Sequence, residues 1–224
     1  MNKNNRKEHL YRAAFKLFLM KQFDAVSISD IEKESGMTRG AITYYGGDKK
    51  GLFYDVVKQF IVDTQNIENK MSNTEPESLK DFIESYVHGC QNTMNRFDYI
   101  DKSVQNASSA YLAADMEMDQ LIDKSVQNAS SAYMSLILQI CRFFPDLHDM
   151  YLENRNKEMA LWIRVLQHSI ETHEIIESIN VIAVAKNFMN IFYGQSFLDS
   201  LSMGLNTVEL RTQMMEYYKA IKVQ

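Results

Sequence analysis

Histidine, cysteine and carboxylate side chains most often do chemistry, and their spacing here argues against a metal or catalytic centre. Helical two-metal sites use Glu-x-x-His pairs. The residues three positions before the five histidines are Arg6, Ser85, Pro145, Val165 and Ile170. The sequence also lacks a phosphate-binding loop, a dinucleotide fingerprint and a Cys/His zinc spacing. It therefore predicts no enzyme, no metal and no cofactor.

Positive charge is concentrated near the start of the chain. Residues 1–60 contain eleven Lys and Arg against seven Asp and Glu, a net charge of +4, whereas residues 61–224 contain thirteen against twenty-two, a net charge of −9. A basic end on an acidic chain predicts an anionic partner for that end alone. We therefore expect cationic and hydroxyl side chains in this segment to bind phosphate groups and base edges.

A run of helices must position these groups. The spacing of apolar residues predicts helices over about residues 7–21 and 48–66, with two short helices between them. Ser27 and Asp30 indicate the capped start of the first short helix, which Gly36 ends, and Thr38 caps the second. Two short helices joined by a tight glycine turn form a helix-turn-helix, whose second helix fits the major groove of DNA.

The residues of this segment also follow a known pattern in both type and spacing. They are Ser27, Asp30, Ile31, Gly36, Met37, Thr38, Gly40, Ile42, Lys49, Leu52 and Phe53. With these residues, the segment 7–60 resembles the DNA-binding domain of the TetR family of bacterial transcriptional regulators. The resemblance covers about a quarter of the chain, and the remainder is similar to the family only in its helical character.

The resemblance implies a set of DNA-binding residues, namely Ser27, Thr38, Arg39, Gly40, Thr43, Tyr44, Tyr45 and Lys49. The recognition helix would span about residues 38–45. In it, Arg39 would reach a guanine edge or a phosphate, and one of the two tyrosines would hydrogen-bond the DNA backbone. Lys49 would bind a phosphate at the start of the fourth helix, where the helix N-terminus adds partial positive charge. Ile42 is interpreted as a packing residue.

The larger half of the chain is predicted to be helical because it contains few helix breakers: the whole chain has only two Pro and eight Gly. Its helices carry apolar stripes rich in Met and aromatic residues, which form a core and can also line an adaptable pocket. The resemblance implies that this half binds a small-molecule inducer. The candidate pocket residues are Tyr86, Cys90, Met94, Tyr133, Ile137, Trp162 and Phe188.

The last two helices indicate a homodimer. The segment 179–203 is apolar on nearly every side, so it must be covered on two sides, one of them by a second subunit. In family terms this helix and residues 206–221 would form a four-helix interface. The candidate interface residues are Ala183, Phe192, Phe197, Leu201, Met214 and Tyr217. A dimer would place two recognition helices on successive major-groove faces of a near-palindromic operator.

Together these features predict an all-α protein with an N-terminal three-helix helix-turn-helix DNA-binding domain at residues 1–47. A connecting helix follows at 48–66, and a larger helical ligand-binding and dimerisation domain at 67–224. We expect a cytoplasmic homodimeric repressor that a small, largely apolar inducer releases from double-stranded operator DNA, without a signal peptide or membrane span. The alternatives are an architectural DNA-binding protein without ligand control and, less favoured, a helical enzyme.

A segment of twelve residues is duplicated in the larger half of the chain. The sequence IDKSVQNASSAY occurs twice, at residues 100–111 and 122–133, and the chain diverges abruptly after each copy. Two copies are too few for a solenoid, and the abrupt edges favour a recent insertion or a sequence error over a functional repeat. One helix through both copies, from residue 98 to residue 144, would be about 70 Å long, which is too long for this domain, so a break is predicted at residues 113–119. The first copy is expected to be the less well packed.

Overall fold

The computed structural model describes residues 3–63, 77–109, 129–202 and 204–223. In these residues the fold is all-α, as predicted, and a single bridge between Ile175 and Lys222 is the only extended pairing. The helices are α1 Lys3–Met20, α2 Ile28–Ser35, α3 Arg39–Gly46, α4 Lys49–Val57, α5 Leu79–Ser109, α6 Ala129–Phe143, α7 Pro145–Glu171, α8 Val181–Ser200 and α9 Thr207–Ile221. A 3₁₀ turn, Phe23–Ala25, precedes α2, and a π turn, Lys58–Val62, extends α4. Within this part of the chain, no helix combines the length and apolarity needed to cross a membrane.

Short polar side chains begin the amino-terminal helices. Ser27 Oγ accepts a hydrogen bond from the Asp30 N–H at 3.1 Å, and the Asp30 carboxylate accepts one from the Ser27 N–H at 2.8 Å, which completes a capping box. Thr38 begins α3 and Asp48 begins α4 by accepting N–H bonds from the first turn. Gly36 ends α2 with a φ of 64°, in the left-handed region that glycine adopts at least cost. The starts of α2 and α3 and the glycine turn between them are therefore confirmed.

Apolar side chains form two cores. The N-terminal core unites α1 to α4 with the end of α6 and the start of α7, and includes Leu10, Phe15, Phe18, Ile31, Ile42, Leu52, Phe53, Leu136, Ile140, Phe144 and Leu147. The C-terminal core unites α5, α7, α8 and α9, and includes Leu79, Phe82, Trp162, Leu166, Phe188, Leu210 and Met214. The larger half of the chain thus supplies part of the core of the first four helices. The predicted domain boundary at residue 47 stays a prediction, and the N-terminal core extends across it.

The end of α3 lies directly against α4. Gly46 is buried, and a β-carbon at this position would come 2.7 Å from Leu52 Cδ1. A β-carbon at Gly51 would come 3.1 Å from the Gly46 carbonyl oxygen. Gly47, between them, has a φ of 68°, which disfavours any other residue. These close approaches fix the angle between α3 and α4.

The duplicated sequence is only partly described. Helix α5 enters the first copy and is described as far as Ser109, while the second copy leads into α6, where Ser130 is buried. The break predicted at residues 113–119 lies outside the described residues. The predicted difference in packing between the copies also lies outside them, because it concerns side chains of the first copy.

Replacing Gly46 with alanine should lower the free energy of unfolding by about 1–3 kcal/mol, because the new methyl group displaces Leu52. Gly40 provides the matched control, since it lies in the same helix with open space at its β-carbon position. Gly40→Ala should be neutral or stabilise by up to about 1 kcal/mol, because alanine has a higher helix propensity than glycine. Urea unfolding measures both variants, and equal midpoints would contradict the close packing of α3 on α4.

Candidate nucleic-acid interface and ligand pocket

Helix α3 presents one continuous polar face to solvent. The exposed residues are Thr38, Arg39, Gly40, Thr43 and Tyr44. On the opposite side of the helix, Ile42 is 1% exposed and packs in the N-terminal core, as predicted. One side of α3 therefore holds the helix on the protein while the other is open to a groove, which is the geometry of a recognition helix.

The two tyrosines of α3 have different environments. Tyr44 is 67% exposed, whereas Tyr45 is half-buried and packs against the N-terminal core. Their rings meet edge to face, with centroids 5.0 Å apart. Tyr45 therefore supports the ring of Tyr44, and Tyr44 is the tyrosine that extends from the surface.

Arg39, at the start of α3, is held loosely against α2. Its Nη2 lies 3.6 Å from the Glu32 carboxylate and 3.4 Å from Ser29 Oγ, and 65% of its side chain is exposed. Both distances exceed those of strong hydrogen bonds, and exposed ion pairs contribute little stability. The guanidinium can therefore exchange Glu32 for a phosphate or a guanine edge at small cost.

Lys49 points into the protein. Its Nζ donates to the carbonyl oxygens of Phe23 and Val26, each at 3.0 Å, and lies 4.3 Å from the centroid of the Phe23 ring. These contacts tie the start of α4 to the turn that leads into α2, and the predicted contact of Lys49 with a phosphate stays a prediction. The next residue, Lys50, is exposed.

Ser27 lies on the exposed edge of α2 with its hydroxyl engaged in the capping box. Ser27 Oγ donates to the Asp30 carboxylate at 2.7 Å and accepts from the Asp30 N–H. These hydrogen bonds hold the pKa of Asp30 below its usual range. The hydroxyl therefore orients the start of α2, while Thr38 and Thr43 carry the exposed threonine hydroxyl groups of α3 and its N-cap.

A cavity of about 50 Å³ lies in the larger half, between α5, α6, α7 and α8. Cys90 and Met94 line it from α5, Tyr133 and Met134 from α6, and Phe192 from α8. Thioether and aromatic side chains of this kind adapt to the shape of a bound molecule. The cavity is thus a candidate ligand pocket with an apolar wall.

A carboxylate is buried in that wall. Glu158 of α7 is 9% exposed and accepts hydrogen bonds from the hydroxyls of Tyr86, at 2.6 Å, and Tyr193, at 2.9 Å. Burial raises the pKa of both tyrosines, and the charge of Glu158 raises it further. Both phenols therefore stay protonated and remain donors to Glu158.

The cavity contains part of the predicted pocket set. Cys90, Met94 and Tyr133 line it, and Tyr86 is joined to it through Glu158. Ile137 instead packs in the N-terminal core. Trp162 and Phe188 stack on each other in the C-terminal core, with ring centroids 4.7 Å apart and an interplanar angle of 5°.

Arg155, Glu158 and Tyr193 contribute polar groups to the wall and were not among the predicted pocket residues. Arg155 and Glu158 lie in the polar stretch ENRNKE of α7, residues 153–158, where no local pattern separates them from the solvent-exposed charges around them. Tyr193 carried no signal of its own, because it lies inside the apolar run of α8.

The predicted interface residues divide between the surface and the interior. Those exposed on the protomer are Ala183, Phe197 and Leu201. Met214 is fully buried in the C-terminal core, and Phe192 lines the cavity, so both serve the interior of the protomer. Tyr217 is half-buried, and its hydroxyl accepts a hydrogen bond from Asn187 at 2.8 Å.

Residues 10–56 match the family model described as bacterial regulatory proteins, tetR family. Similar solved structures include full-length native TylP, a TetR regulator from Streptomyces fradiae (17% identity, TM-score 0.54, covering 100% of this chain and 89% of that one). The reduced form of Escherichia coli NemR is 14% identical with a TM-score of 0.58, and Salmonella enterica GusR is 17% identical with a TM-score of 0.57; each alignment covers 98% of both chains. No curated protein sequence matches the chain.

At these identities the structural likeness shows the fold, and the family model adds the match in the DNA-binding segment. Together they define a helix-turn-helix domain followed by a helical domain of the kind found in TetR structures. Residues 10–56 thus match the DNA-binding segment of the TetR family of bacterial regulatory proteins, and the whole chain has the fold of solved TetR structures.

Lys49→Ala should lower the free energy of unfolding by about 1–3 kcal/mol, because the carbonyl groups of Phe23 and Val26 lose a charged donor. Lys50→Ala removes the same charge one residue away and should change stability by less than about 0.5 kcal/mol, as expected for an exposed position. Thermal unfolding of the two variants in parallel makes the comparison. A larger loss for Lys50→Ala would argue against the inward role of Lys49.

Proposed function

We propose that the chain is a homodimeric transcriptional repressor that leaves its operator when a small, largely apolar ligand enters the cavity. The observation that carries this proposal is the double role of α6. Its first residues line the cavity, and its last residues complete the N-terminal core. A ligand would therefore contact the same helix that supports the DNA-reading unit.

The exposed face of α3 supports the DNA-binding part of the proposal. Arg39 would read a guanine edge or bind a phosphate, while the hydroxyls of Thr38, Thr43 and Tyr44 would contact the DNA backbone. Lys50, exposed at the start of α4, is the better placed of the two lysines for a phosphate. Lys49 would act indirectly, by fixing α4 against the turn before α2.

Contacts along α6 connect the cavity to the N-terminal core. Tyr133 and Met134 line the cavity. Less than two turns further along the helix, Gln139 Oε1 accepts a hydrogen bond from the Phe23 N–H at 2.7 Å. At the end of α6, the ring of Phe144 stacks on Phe53 of α4, with centroids 4.3 Å apart. A rotation of α6 in response to a ligand would therefore be felt in the turn before α2 and in α4.

A second connection joins the cavity to the far end of α4. Asn154 lines the cavity, and its Nδ2 donates to the carbonyl oxygen of Val62, at the end of the π turn, at 2.7 Å. Tyr54 of α4 also contacts Met150 Sδ at 3.8 Å. The π turn at the end of α4 therefore contacts Asn154 of the cavity wall, and the middle of α4 contacts Phe144. With these two contacts, α4 could transmit a movement of the cavity wall to the DNA-reading helices.

The mechanism follows as a population shift. The dimer would sample different separations of its two recognition helices, and only one separation matches successive major-groove faces of an operator. A ligand shifts this equilibrium by as much as it binds one state more tightly than the other. Binding in the cavity would stabilise the arrangement of α6 and α4 that misfits DNA, and so relieve repression.

Helix α8 supports the homodimer. One stripe of exposed residues on α8 and its C-cap recurs at spacings of four and three: Ala183, Asn187, Asn190, Gly194, Phe197 and Leu201. Ala183 and Gly194 on this stripe allow a second helix to approach closely, and Leu198, 64% exposed, and Leu201, 71% exposed, add apolar surface at its end. A second copy of α8 is the natural cover for this stripe.

Arg39→Ala should weaken binding to DNA enriched from a random pool by about 1–3 kcal/mol, the usual cost of a lost base or phosphate contact. The pool should yield a near-palindromic sequence, because a dimer reads two half-sites. Lys157→Ala is the matched control: it removes one exposed positive charge from α7, far from α3 in sequence. An equal loss of DNA affinity in both variants would mean that only net charge matters and would contradict a specific contact by Arg39. A pool from which no sequence is enriched would favour the architectural DNA-binding alternative.

Leu198→Asp should convert a dimer into a monomer, because a carboxylate replaces apolar surface at the proposed interface. Leu138→Asp, on α6, is the control, since Leu138 is also 64% exposed. Light scattering after size exclusion should give twice the chain mass for the wild type and for the control, and the mass of one chain for Leu198→Asp. A monomeric wild type, or dissociation by the control alone, would contradict the assignment of α8.

A further inference from the structure

The cavity wall holds a buried carboxylate, Glu158, that forms no ion pair with any described residue. The donors to the Glu158 carboxylate are the neutral hydroxyls of Tyr86 and Tyr193. Over the part of the chain that the structure describes, no Lys, Arg or His forms an ion pair with it. A buried carboxylate is costly unless a cation or several hydrogen bonds compensate it. Because a carboxylate offers about four acceptor sites, positions remain that a ligand can fill.

Arg155, one turn earlier on α7, does not supply the missing charge. Its guanidinium lies over the ring of Tyr193, 4.6 Å from the ring centroid, and is partly exposed. The π face of Tyr193 and solvent thus already balance part of its charge. Its Nε is buried without a hydrogen-bond partner, which makes an anion the rival occupant. An anion, however, would bring a second negative charge into the small cavity that Glu158 lines.

The rest of the wall suits an organic cation. Tyr133, Tyr151 and Phe192 line the cavity beside Glu158, and aromatic faces attract ammonium groups within about 6 Å of the ring centroid. Burial raises the pKa of Tyr133 and Tyr151, so these phenols add no negative charge of their own. The thioether side chains of Met94 and Met134 provide apolar surface that can shift around an alkyl group.

We propose that the cavity binds a small organic cation, namely a protonated amine or amidine on a short apolar chain. The positive group occupies the remaining acceptor positions of Glu158, and the apolar chain lies between Met94 and Met134. The cavity of about 50 Å³ matches a compact head group, and the methionines move to admit the chain. The proposal rests on the proposed function, because it names the class of ligand to which the repressor responds.

The test compares three molecules of one chain length: hexylammonium, hexan-1-ol and hexanoate. Calorimetry with the full-length protein in the absence of DNA should show hexylammonium binding at least tenfold more tightly than either of the others. Glu158→Gln keeps the shape of the side chain and should abolish this preference while hexan-1-ol binding stays unchanged. Arg155→Gln is the matched control and should keep the preference for the ammonium ion.

Several results would overturn the proposal: tighter binding of hexanoate, equal binding of all three, no binding of hexylammonium at millimolar concentration, or an undiminished preference in Glu158→Gln. Unchanged hexan-1-ol binding shows that the variant cavity is folded, and the wild-type comparison decides the ligand class if the variant does not fold. Release of bound DNA is measured separately. Ammonium binding without DNA release contradicts the ligand-relieved repressor alone, whereas equal release by all three molecules contradicts the ligand class alone.

Discussion

The stacked rings of Phe53 and Phe144 are the contact on which the rest of the arrangement depends. Their centroids are 4.3 Å apart, and Phe23 meets Phe53 and Phe144 edge-on at 5.0 and 5.2 Å. Phe53 belongs to α4 and Phe144 joins α6 to α7, so the two halves of the chain share a core at this point. Packed interiors switch between discrete arrangements more readily than they deform continuously. A movement of α6 must therefore either repack this cluster or carry α4 with it.

The sequence predicted the helix-turn-helix well because its determinants are local. Ser27, Gly36 and Thr38 act on backbone groups within three residues, so their chemistry is visible in a short window. The direction of Lys49 could not be read in this way. Its partners, the carbonyl groups of Phe23 and Val26, lie 26 and 23 residues earlier in the chain. Only the packing of α4 on the turn before α2 brings them within reach.

The pocket and the interface were harder to predict because an apolar stripe on a helix has the same sequence pattern whether it packs in the core, lines a pocket or forms an interface. Met94 and Trp162 both recur at helical spacing, yet Met94 lines the cavity and Trp162 lies in the core. The polar centre of the wall comes from three helices, since Glu158 meets Tyr86, 72 residues away, and Tyr193, 35 residues away. Such convergence depends on tertiary packing and leaves no local pattern.

The single tryptophan of the chain, Trp162, lies in the C-terminal core next to a residue that binds the cavity wall, and it gives the protein an intrinsic fluorescence signal at this place. Trp162 is fully buried, lies face to face with Phe188, and has its ring 5.3 Å from that of Tyr86, whose hydroxyl binds Glu158. Its indole N–H has no hydrogen-bond partner among the described residues, and its ring is surrounded by those of Phe82, Tyr86 and Phe188. Indole emission changes with the polarity and packing around the ring. The tryptophan fluorescence of the unlabelled protein should therefore come from a ring that contacts Tyr86, the residue that donates to the buried carboxylate. Selective excitation of tryptophan separates this signal from that of the twelve tyrosines.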